Sequence, residues 1–504
     1  MFPFHRAARP WPALAKAAGI ASLAVLAGCA SSSPEALRTD VTALVGERTG
    51  LPSSSVQIAL PPAGDDAAAR ATAAGLPGPA PLTADAAVRI ALLHSPRLQS
   101  SMAALGVSDA ERAQAGRLPN PHLSLGRFTE GGTREIERML SFDVLGLVTL
   151  PWRVRWQGQQ VELAKLAAAQ DVVALAADTR RAWVRAVASA QVAAQAADAL
   201  DAAEAGTELA RRMQKAGNFN RLQLAREEAL LAEARIALAR AQQAALRERE
   251  QLVRLMGIEG SAAQSFALPA HLAPVPQAMT NDVSPGTSPI AALPADASAA
   301  EAQAIAQRLD VRAAQLESRF VAESLGYTRA TGFVDAVEVG YGRNTSWEAN
   351  GDRSVKRGWE LGLPIPLFDW GQARNARARG LYLQSAARVR DVAVRARSEA
   401  REALAARDAT HSIARQAHMQ GVAVQQVIQD ETLLRYNGML ASVWDVLAEA
   451  RATTRAVTRA IEAQRDFWLA DTDLRQALSG SSPGGLALLS PSTSSATDAA
   501  APGH

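Results

Sequence analysis

Two stretches of the chain, residues 152–268 and 367–482, each run for more than a hundred residues without a proline. Because proline breaks the interior of a helix, both stretches can be helical along most of their length. Turns rich in glycine and asparagine interrupt them at residues 215–220 (KAGNFN) and 436–440 (YNGML). The roughly 60 residues before each turn would form a rod of about 90 Å at 1.5 Å per residue. The sequence therefore predicts two pairs of long helices, 152–213 with 220–256 and 369–435 with 442–478.

Apolar residues recur every seven positions after each turn. The first series is Leu224, Leu231, Leu238, Ala245 and Leu252, and the second is Leu440, Leu447, Thr454, Ile461 and Trp468. Sustained heptads are typical of coiled-coil packing, in which each helix buries a narrow apolar stripe against its partners. An amphipathic helix in an ordinary bundle is the alternative, although the length of the helices argues against it.

The chain also carries an internal duplication. The tripeptide Leu-Gly-Leu begins at Leu145 and again at Leu361, and glycine marks the turns at Gly217 and at Gly438, with a slightly larger spacing. Spacings that grow by small steps are expected from a duplication with short insertions. Each copy has a moderate helix (about 83–118 and 299–331), two short alternating segments and two long helices. The predicted domains are a first repeat at 82–258, an inter-repeat linker at 259–298 and a second repeat at 299–478.

The short alternating segments lie at about 121–129, 139–150, 333–343 and 357–367. Each is close to the length that a tilted strand needs to cross a bilayer, about ten residues. A soluble β-hairpin is the alternative, because Ser141 and Asp143 interrupt the apolar face of the second segment. The strand-to-helix junctions are placed at Pro151 in the first copy and at Pro364 and Pro366 in the second. There the prolines would end the strand ladder, and Asp369 would cap the following helix.

The N-terminal residues have the pattern of a cleaved leader. A basic segment with Arg6, Arg9 and Lys16 precedes a short apolar run and the sequence LAGC, which ends at Cys29, the only cysteine in the chain. We therefore expect a lipoprotein signal peptide at residues 1–28 and a lipid on Cys29. Residues 29–81 are predicted to be a lipid-anchored linker, and residues 479–504 a disordered tail. No later segment has the roughly 20 uninterrupted apolar residues of a membrane-spanning helix.

Charge and motifs exclude several classes of function. Without the three basic residues of the leader, the 53 lysines and arginines fall to 50 and balance the 50 acidic residues, so nucleic acid is not an expected partner. His411, His418 and Met419 could share a helix face, but solvated helix positions explain them better than a metal site. The motif GSSPG around Ser482 lacks the strand and helix of a nucleophile elbow. We therefore predict that the protein is not an enzyme and needs no cofactor beyond the lipid on Cys29.

The second turn carries the residues that could act on ions. Tyr436 precedes the turn, and Asp445 follows it at the start of the returning helix, where Ser442 is placed to cap the helix. A first-turn aspartate usually complements the helix dipole. If identical chains surround an axis, however, the same aspartate becomes a ring of carboxylates that can select ions.

These features together resemble the outer-membrane efflux ducts of the TolC type, in their lipid-anchored branch. The resemblance rests on LAGC, on the duplicated helix-strand-strand-helix-helix unit, on PIPLFDWGQARNARA at the second junction and on the two glycine-marked turns. It covers residues 82–478. It implies a mainly α fold with a small membrane β part, in which three protomers form a twelve-stranded barrel and a periplasmic tunnel of twelve helices.

The resemblance also implies partners and roles for individual residues. The hairpin tips, with Gly217, Asn218, Gly438 and Met439, would meet a periplasmic adaptor protein that links the duct to an inner-membrane pump. Tyr436 and Asp445 match a gate tyrosine and a selectivity-ring aspartate. The family's gate arginine and second ring aspartate fall at Ala441 and Ala448, so that the ring would be weaker here or would use Glu449.

Two hypotheses follow from these observations. The first is a trimeric outer-membrane exit duct that passively exports small molecules such as drugs or metal ions, with energy supplied by the pump. The second is a periplasmic coiled-coil lipoprotein that scaffolds the cell envelope without forming a channel. The four alternating segments distinguish them, because only the duct needs strands that cross a membrane.

Overall fold

A computed structural model describes residues 34–46, 48–49, 51, 56, 58, 80–277, 294, 296–331, 337–348, 350–363 and 370–483. The predicted leader at 1–28, Cys29, Pro364, Pro366 and Asp369 lie outside these residues. The chain divides into two compact units. The sheet unit comprises Met1–Leu37, Ala104–Lys165 and Leu316–Ala386, and the helix unit comprises Arg38–Ala103, Leu166–Gln315 and Ala387–His504.

The sheet unit contains a four-stranded antiparallel sheet within the described residues. Its strands are β1 (His122–Glu130), β2 (Thr133–Asp143), β3 (Glu338–Trp347) and β4 (Arg353–Gly362), and they lie side by side in the order of the sequence. The central pair β2 and β3 joins the two copies of the duplicated unit, with Met139 opposite Gly342. Since β1 and β4 each pair on one side only, the sheet has two open edges.

The strand bounds differ from those expected for three of the four strands. β2 begins six residues before the predicted 139 and ends at Asp143, not at 150. Its first half, TREIER, places charged side chains on both faces, so that it lacks the apolar alternation by which strands are recognised. β3 and β4 are also shifted relative to the predicted 333–343 and 357–367. The outer half of β4, RSVKR, is rich in charge, and that of β3, RNTSW, is mostly polar, so neither shows apolar alternation.

The chain leaves β2 through a short helix that the sequence did not predict. Asp143 caps the N-terminus of helix α4 (Val144–Val148), and its Oδ1 accepts a hydrogen bond of 2.8 Å from the backbone N–H of Gly146. The long helix α5 (Leu150–Lys215) then begins, with Pro151 in its first turn, where its missing N–H is not needed. Pro151 therefore marks the start of a helix, as expected, but the preceding residues are helical and not extended.

The long helices have bounds close to the prediction. In the first copy they are α5 and α6 (Arg221–Met256), and in the second they are α9 (Gln372–Gln416), α10 (Ala423–Asn437) and α11 (Val443–Ser479). A π-helical turn at Ala417–Val422 connects α9 to α10, where a single α-helix had been expected. Side chains of Asn220 and Ser442 form capping boxes that start α6 and α11, and these boxes fix where the two turns end.

Each moderate helix of the prediction is in fact a pair of helices. Residues 83–118 contain α2 (Ala84–His94) and α3 (Pro96–Ala115), and residues 299–331 are part of α7 (Ala297–Gln307) and α8 (Leu309–Thr331). The single residues between them, Ser95 and Arg308, have extended backbone, with ψ of 118° and 133°. Pro96 explains the first break, since the residue before a proline is disfavoured in the helical conformation.

Matching helices form the cores of the two copies. In the first copy α2 packs on α5 and α6 through a cluster that includes Ile90, Ala186 and Met256. In the second copy α7 packs on α9 and α11 through a cluster that includes Ala304, Ala400 and Leu474. The second cluster contains mainly alanines, whose small side chains let helix backbones approach closely. The shared arrangement confirms the duplication predicted from the sequence.

Two regions expected to be linkers contain ordered structure. Residues 29–81 include helix α1 (Pro34–Val45), in which Val41 and Val45 are fully buried. The inter-repeat segment is held on the helix unit as far as Gln277. There Nε2 of Gln464 donates to the carbonyl of Leu272 at 3.3 Å, and Nε1 of Trp468 donates to that of Ala273 at 2.9 Å. Both segments thus lie on the helices through buried apolar side chains, and the second is also held by side-chain hydrogen bonds to its backbone.

Candidate functional site

The two helical turns contact one another through aromatic side chains. Phe219 lies at the end of the first turn and Trp444 lies in the first turn of α11, and their rings stack with centroids 4.8 Å apart and an angle of 24° between the planes. This stack brings the tips of two hairpins, which are far apart in the sequence, to one end of the helix unit. The glycine-marked residues that the sequence singled out, Gly217 and Gly438, therefore belong to one tip region.

Backbone geometry explains the residues at each turn. Gly217 has φ of +81°, a left-handed conformation that glycine adopts without the steric cost of a Cβ. In the second turn that conformation falls on Met439, with φ of +62°, and not on Gly438. A non-glycine residue in this conformation is uncommon. The backbone N–H of Met439 donates to the carbonyl of Tyr436 at 2.9 Å, and this bond closes the turn.

The second tip exposes a patch of large apolar side chains. Met439 is 95% exposed and Leu440 is 82% exposed, and Leu433, Leu434 and Tyr436 are exposed beside them. Leu440, which the heptad pattern placed on the helix stripe, lies before the N-terminus of α11 and is largely exposed. Singly exposed apolar residues are ordinary, but a cluster at a protruding tip is typical of a protein interaction site.

Asp445 lies at the third position of α11 and is exposed. Its Oδ2 accepts hydrogen bonds from the backbone N–H of Ser442 at 2.9 Å and from the Ser442 hydroxyl at 2.8 Å. These hydrogen bonds, the hydroxyl first, hold the pKa of the Asp445 carboxyl below its usual range. The aspartate is therefore a fixed negative charge at the tip as well as part of the helix cap.

The positions that the resemblance assigns to a gate arginine and to a second ring aspartate carry alanine. Ala448 lies one helical turn after Asp445 and is exposed, so that face of α11 carries a methyl group where a second carboxylate could stand. Glu449 is half-buried, and its Oε2 accepts a hydrogen bond of 2.6 Å from Nε2 of Gln425 on α10. The carboxylate of Glu449 thus connects α10 to α11. Ala441 lies in the turn immediately before the capping Ser442.

Below the tips, an ion pair and a close approach join the two copies. Nη2 of Arg451 lies 2.6 Å from Oε2 of Glu227, and both side chains are largely buried. Gly206 on α5 lies against Leu447 on α11, where an added Cβ would be only 3.3 Å from the Leu447 Cδ1. The first copy and the second are thereby held in a defined register at the tip end of the helix unit.

The strand register gives the two faces of the sheet opposite charge. Residues that are directly opposite in neighbouring antiparallel strands point to the same face. One face, which we call the acidic face, carries six carboxylates and a single lysine, namely Glu130, Glu135, Glu137, Asp143, Glu338, Glu360 and Lys356. Its other side chains are mostly serine and glycine. The opposite face carries most of the apolar and aromatic side chains and all the arginines of the four strands.

The other candidate residues have structural contacts. His411 is buried, at 7% exposure, and its Nε2 lies 2.9 Å from the carbonyl oxygen of Pro276, so the expectation of a solvated position was wrong for this histidine. His418 and Met419 are exposed. The hydroxyl of Ser482 donates to Glu399 at 2.8 Å and accepts from Arg308 at 3.2 Å. Within the described part of the chain, no group of three or more histidine, cysteine, aspartate or glutamate side chains could hold a metal ion.

Among the described residues, no helix is both long enough and apolar enough to cross a membrane.

The sequence reading missed three features of these sites. They are the Phe219–Trp444 stack, the Glu227–Arg451 ion pair and the separation of acidic from basic residues on the sheet. An aromatic residue close to each glycine turn was a signal for the first. The other two depend on which residues of the first copy face which residues of the second, and no local pattern encodes that pairing.

Solved structures share this fold, whereas no protein-family model and no curated protein matches the chain. A membrane protein from Pseudomonas aeruginosa is 20% identical with a TM-score of 0.63, over 78% of this chain and 93% of the other. The outer membrane protein VceC from Vibrio cholerae is 17% identical with a TM-score of 0.60, over 79% and 96%. The CmeC outer membrane channel from Campylobacter jejuni is 14% identical with a TM-score of 0.63, over 84% and 93%. At such identities the similarity establishes the fold of long helices joined to a small antiparallel sheet.

Proposed function

We propose that this chain, which has the fold of TolC-type outer-membrane efflux channels, is the outer-membrane exit duct of an export system. Three copies would each contribute four strands to a closed barrel and their long helices to a periplasmic tunnel. The duct would be passive, with no catalytic step, and a lipid on Cys29 would anchor it to the outer membrane.

The open edges of the sheet are the observation that carries this proposal. A sheet with unpaired edges cannot lie in lipid, because each unpaired backbone N–H and C=O group would lose its hydrogen bond to water without replacement. Pairing β1 of one protomer with β4 of the next removes both edges, and three protomers then close a ring of twelve strands. Strands of 9 to 11 residues have the length required to cross the membrane when they are tilted.

The charge of the two sheet faces supports one orientation of such a barrel. The face with most of the leucine, tyrosine and tryptophan side chains would lie against lipid. The acidic face, with its serines and glycines, would line the lumen. A lumen lined by carboxylates favours the passage of cations.

The tip region supports the partnership with other proteins. The exposed apolar patch around Met439 and Leu440 would dock a periplasmic adaptor protein, which in turn connects to an inner-membrane pump that supplies the energy. In a trimer, three copies of Asp445 would form a ring of charge at the narrow end, with Tyr436 beside it as a gate residue. The cargo would be small molecules such as drugs or metal ions.

Planar bilayer recordings of the purified protein test the proposal. We expect discrete conductance steps that prefer cations. Glu360→Gln, on the acidic face, should reduce the cation preference, whereas Arg127→Gln, on the opposite face of the sheet, should leave it unchanged. A folded trimer that gives no conductance would refute the duct and favour the envelope scaffold, which needs no lumen.

A further inference from the structure

The face of the sheet opposite the acidic face carries six arginines and no acidic residue among the described strands. We call it the arginine face. Its basic side chains are Arg127 on β1, Arg134 and Arg138 on β2, Arg343 on β3, and Arg353 and Arg357 on β4. The charges of this sheet are thus sorted by face, although a soluble sheet normally mixes charges of both signs on its exposed side.

Three of these arginines lie in one row across the sheet. Arg138 is directly opposite Arg343, and Arg343 is directly opposite Arg357. Like charges at directly opposite positions are unfavourable. None of the three forms an ion pair or a side-chain hydrogen bond within the described part of the chain, and Nε of Arg343 is buried without a partner. Among those residues, nothing supplies the counter-charge that would stabilise the row.

The row lies where an apolar surface ends. Towards the helix end of the strands, the next two rows on the same face contain Tyr341, Trp359, Phe142 and Leu361, with Trp359 79% exposed and Leu361 60% exposed. Towards the turn end, a mixed row comes first, with Arg127, Ile136, Thr345 and Val355. Beyond it, Arg134 and Arg353 lie over the ring of Trp347 at 5.7 and 5.8 Å from its centroid. An exposed apolar band followed by aromatic rings and guanidinium groups is the order of side chains found where lipid chains meet headgroups.

We propose that the row formed by Arg138, Arg343 and Arg357 binds the phosphate groups of an anionic membrane lipid. This inference rests on the proposed function, because it requires the arginine face to point outward from the barrel. Guanidinium groups bind phosphate through two parallel hydrogen bonds, which an ammonium group cannot do. The three arginines span two strand spacings, about 10 Å, so one headgroup that carries two phosphates can contact the whole row.

Lipid binding to the detergent-purified full chain, measured by native mass spectrometry, tests this site. The probes are a diphosphorylated glycolipid of the lipid A type and the same glycolipid without its phosphates. The variant with Arg138→Gln, Arg343→Gln and Arg357→Gln should bind the phosphorylated glycolipid at least tenfold more weakly than the wild type. A control with Arg221→Gln, Arg226→Gln and Arg240→Gln removes the same charge from exposed positions of α6 and should bind as the wild type does.

Three results would overturn the proposal. They are unchanged affinity of the sheet variant, equal affinity for the glycolipid without phosphates, and displacement of the lipid by an equal concentration of inorganic phosphate. If the triple variant fails to assemble, Arg357→Gln and Arg357→Lys on the edge strand replace it, and the lysine variant should retain more binding than the glutamine variant. Failure of the duct proposal would be recognised separately. In that case the protein would give no conductance in bilayers without the glycolipid, while its arginine-dependent binding of the glycolipid would persist.

Discussion

The indole of Trp444 stacks on the phenyl ring of Phe219, with ring centroids 4.8 Å apart, and this contact joins the tips of the two copies. Such a pair contributes about 1 kcal/mol beyond the area it buries. We therefore expect Phe219→Ala to increase hydrogen exchange of the backbone amides at both turns roughly fivefold.

A double-mutant cycle isolates the contribution of this stack. Trp444→Ala should have the same effect on the first turn, and the double variant should be little worse than either single one, since both remove one interaction. Leu222→Ala, at an exposed neighbouring position, is the control and should leave exchange unchanged. Fully additive effects would show that the rings do not interact.

The charge of Asp445 is expected to control the ion preference of the proposed tunnel at its tip end. Asp445→Asn keeps a side-chain oxygen that can accept from the N–H of Ser442 but removes the charge. Cation preference in bilayer recordings should therefore fall while the fold is retained. A preference identical to that of the wild type would rule out the ring.

The pH dependence follows from the lowered pKa of Asp445. A carboxyl with a lowered pKa stays ionised as the pH falls through the usual range of carboxyls, so cation preference should persist there and disappear only at lower pH. The contribution of the ionised carboxylate to the helix cap should disappear in the same low-pH range.

Variants of the capping residue test the cause of that shift. Ser442→Ala removes the hydroxyl that contributes most to it and should move the loss of preference to higher pH. Ser442→Thr keeps a hydroxyl and should behave as the wild type does. The same pH profile for both variants would exclude the hydroxyl as the cause.

Two glycines with the same backbone conformation should differ strongly in their tolerance of alanine. Gly257 ends α6 with φ of +66°, and an added Cβ would lie 2.6 Å from the carbonyl oxygen of His94. Gly217 has φ of +81° and open space around it. Gly257→Ala should cost about 3 kcal/mol or more, whereas Gly217→Ala should cost about 1 kcal/mol. Circular dichroism during thermal unfolding measures both, and similar losses would contradict the close approach.

The buried Arg308 is expected to depend on both of its acidic partners. Its side chain is fully buried, with Nη1 2.7 Å from Glu399 and Nη2 2.6 Å from Asp310. Burial works against the charge of this guanidinium, but the hydrogen bonds and charges of Asp310 and Glu399 outweigh that effect and raise the pKa of Arg308.

Glu399→Gln removes one of these charges and should cost about 3 kcal/mol of the free energy of unfolding. The matched control is Glu204→Gln, which removes the partner of Arg235 in an exposed ion pair and should cost less than about 1 kcal/mol. Equal losses in denaturant unfolding would show that the buried pair does not stabilise the fold.

The sequence predicted the parts of this fold that local patterns determine. The absence of proline and the regular apolar spacing predicted the four long helical stretches to within a few residues. The matching glycine turns indicated the duplication. The strand bounds were less accurate, because β2 and β4 carry charges in their outer halves where apolar alternation was expected.

Pairing between the copies could not be read from the sequence. Arg138 and Arg343 belong to different copies and become neighbours only through the register of β2 with β3. Trp444 and Phe219 meet for a similar reason. No proline marks the break between α9 and α10. No local pattern indicated that Gln464 and Trp468 would bind the backbone of Leu272 and Ala273 in the inter-repeat segment.

The π-helical turn at Ala417–Val422 has a consequence for the symmetry of the proposed assembly. The spacing between the copies is larger at the glycine turns than at the Leu-Gly-Leu motifs. The first long helical stretch nevertheless has 66 residues in each copy, from Leu150 to Lys215 and from Gln372 to Asn437. Because α5 is a single α-helix and the second stretch contains a π-helical turn, the side chains beyond that turn take a different angular position from their counterparts on α5. The hairpins of the two copies are therefore similar but unequal. A trimer would present six tips with threefold, not sixfold, symmetry, and a partner would meet two chemically different kinds of cleft in alternation.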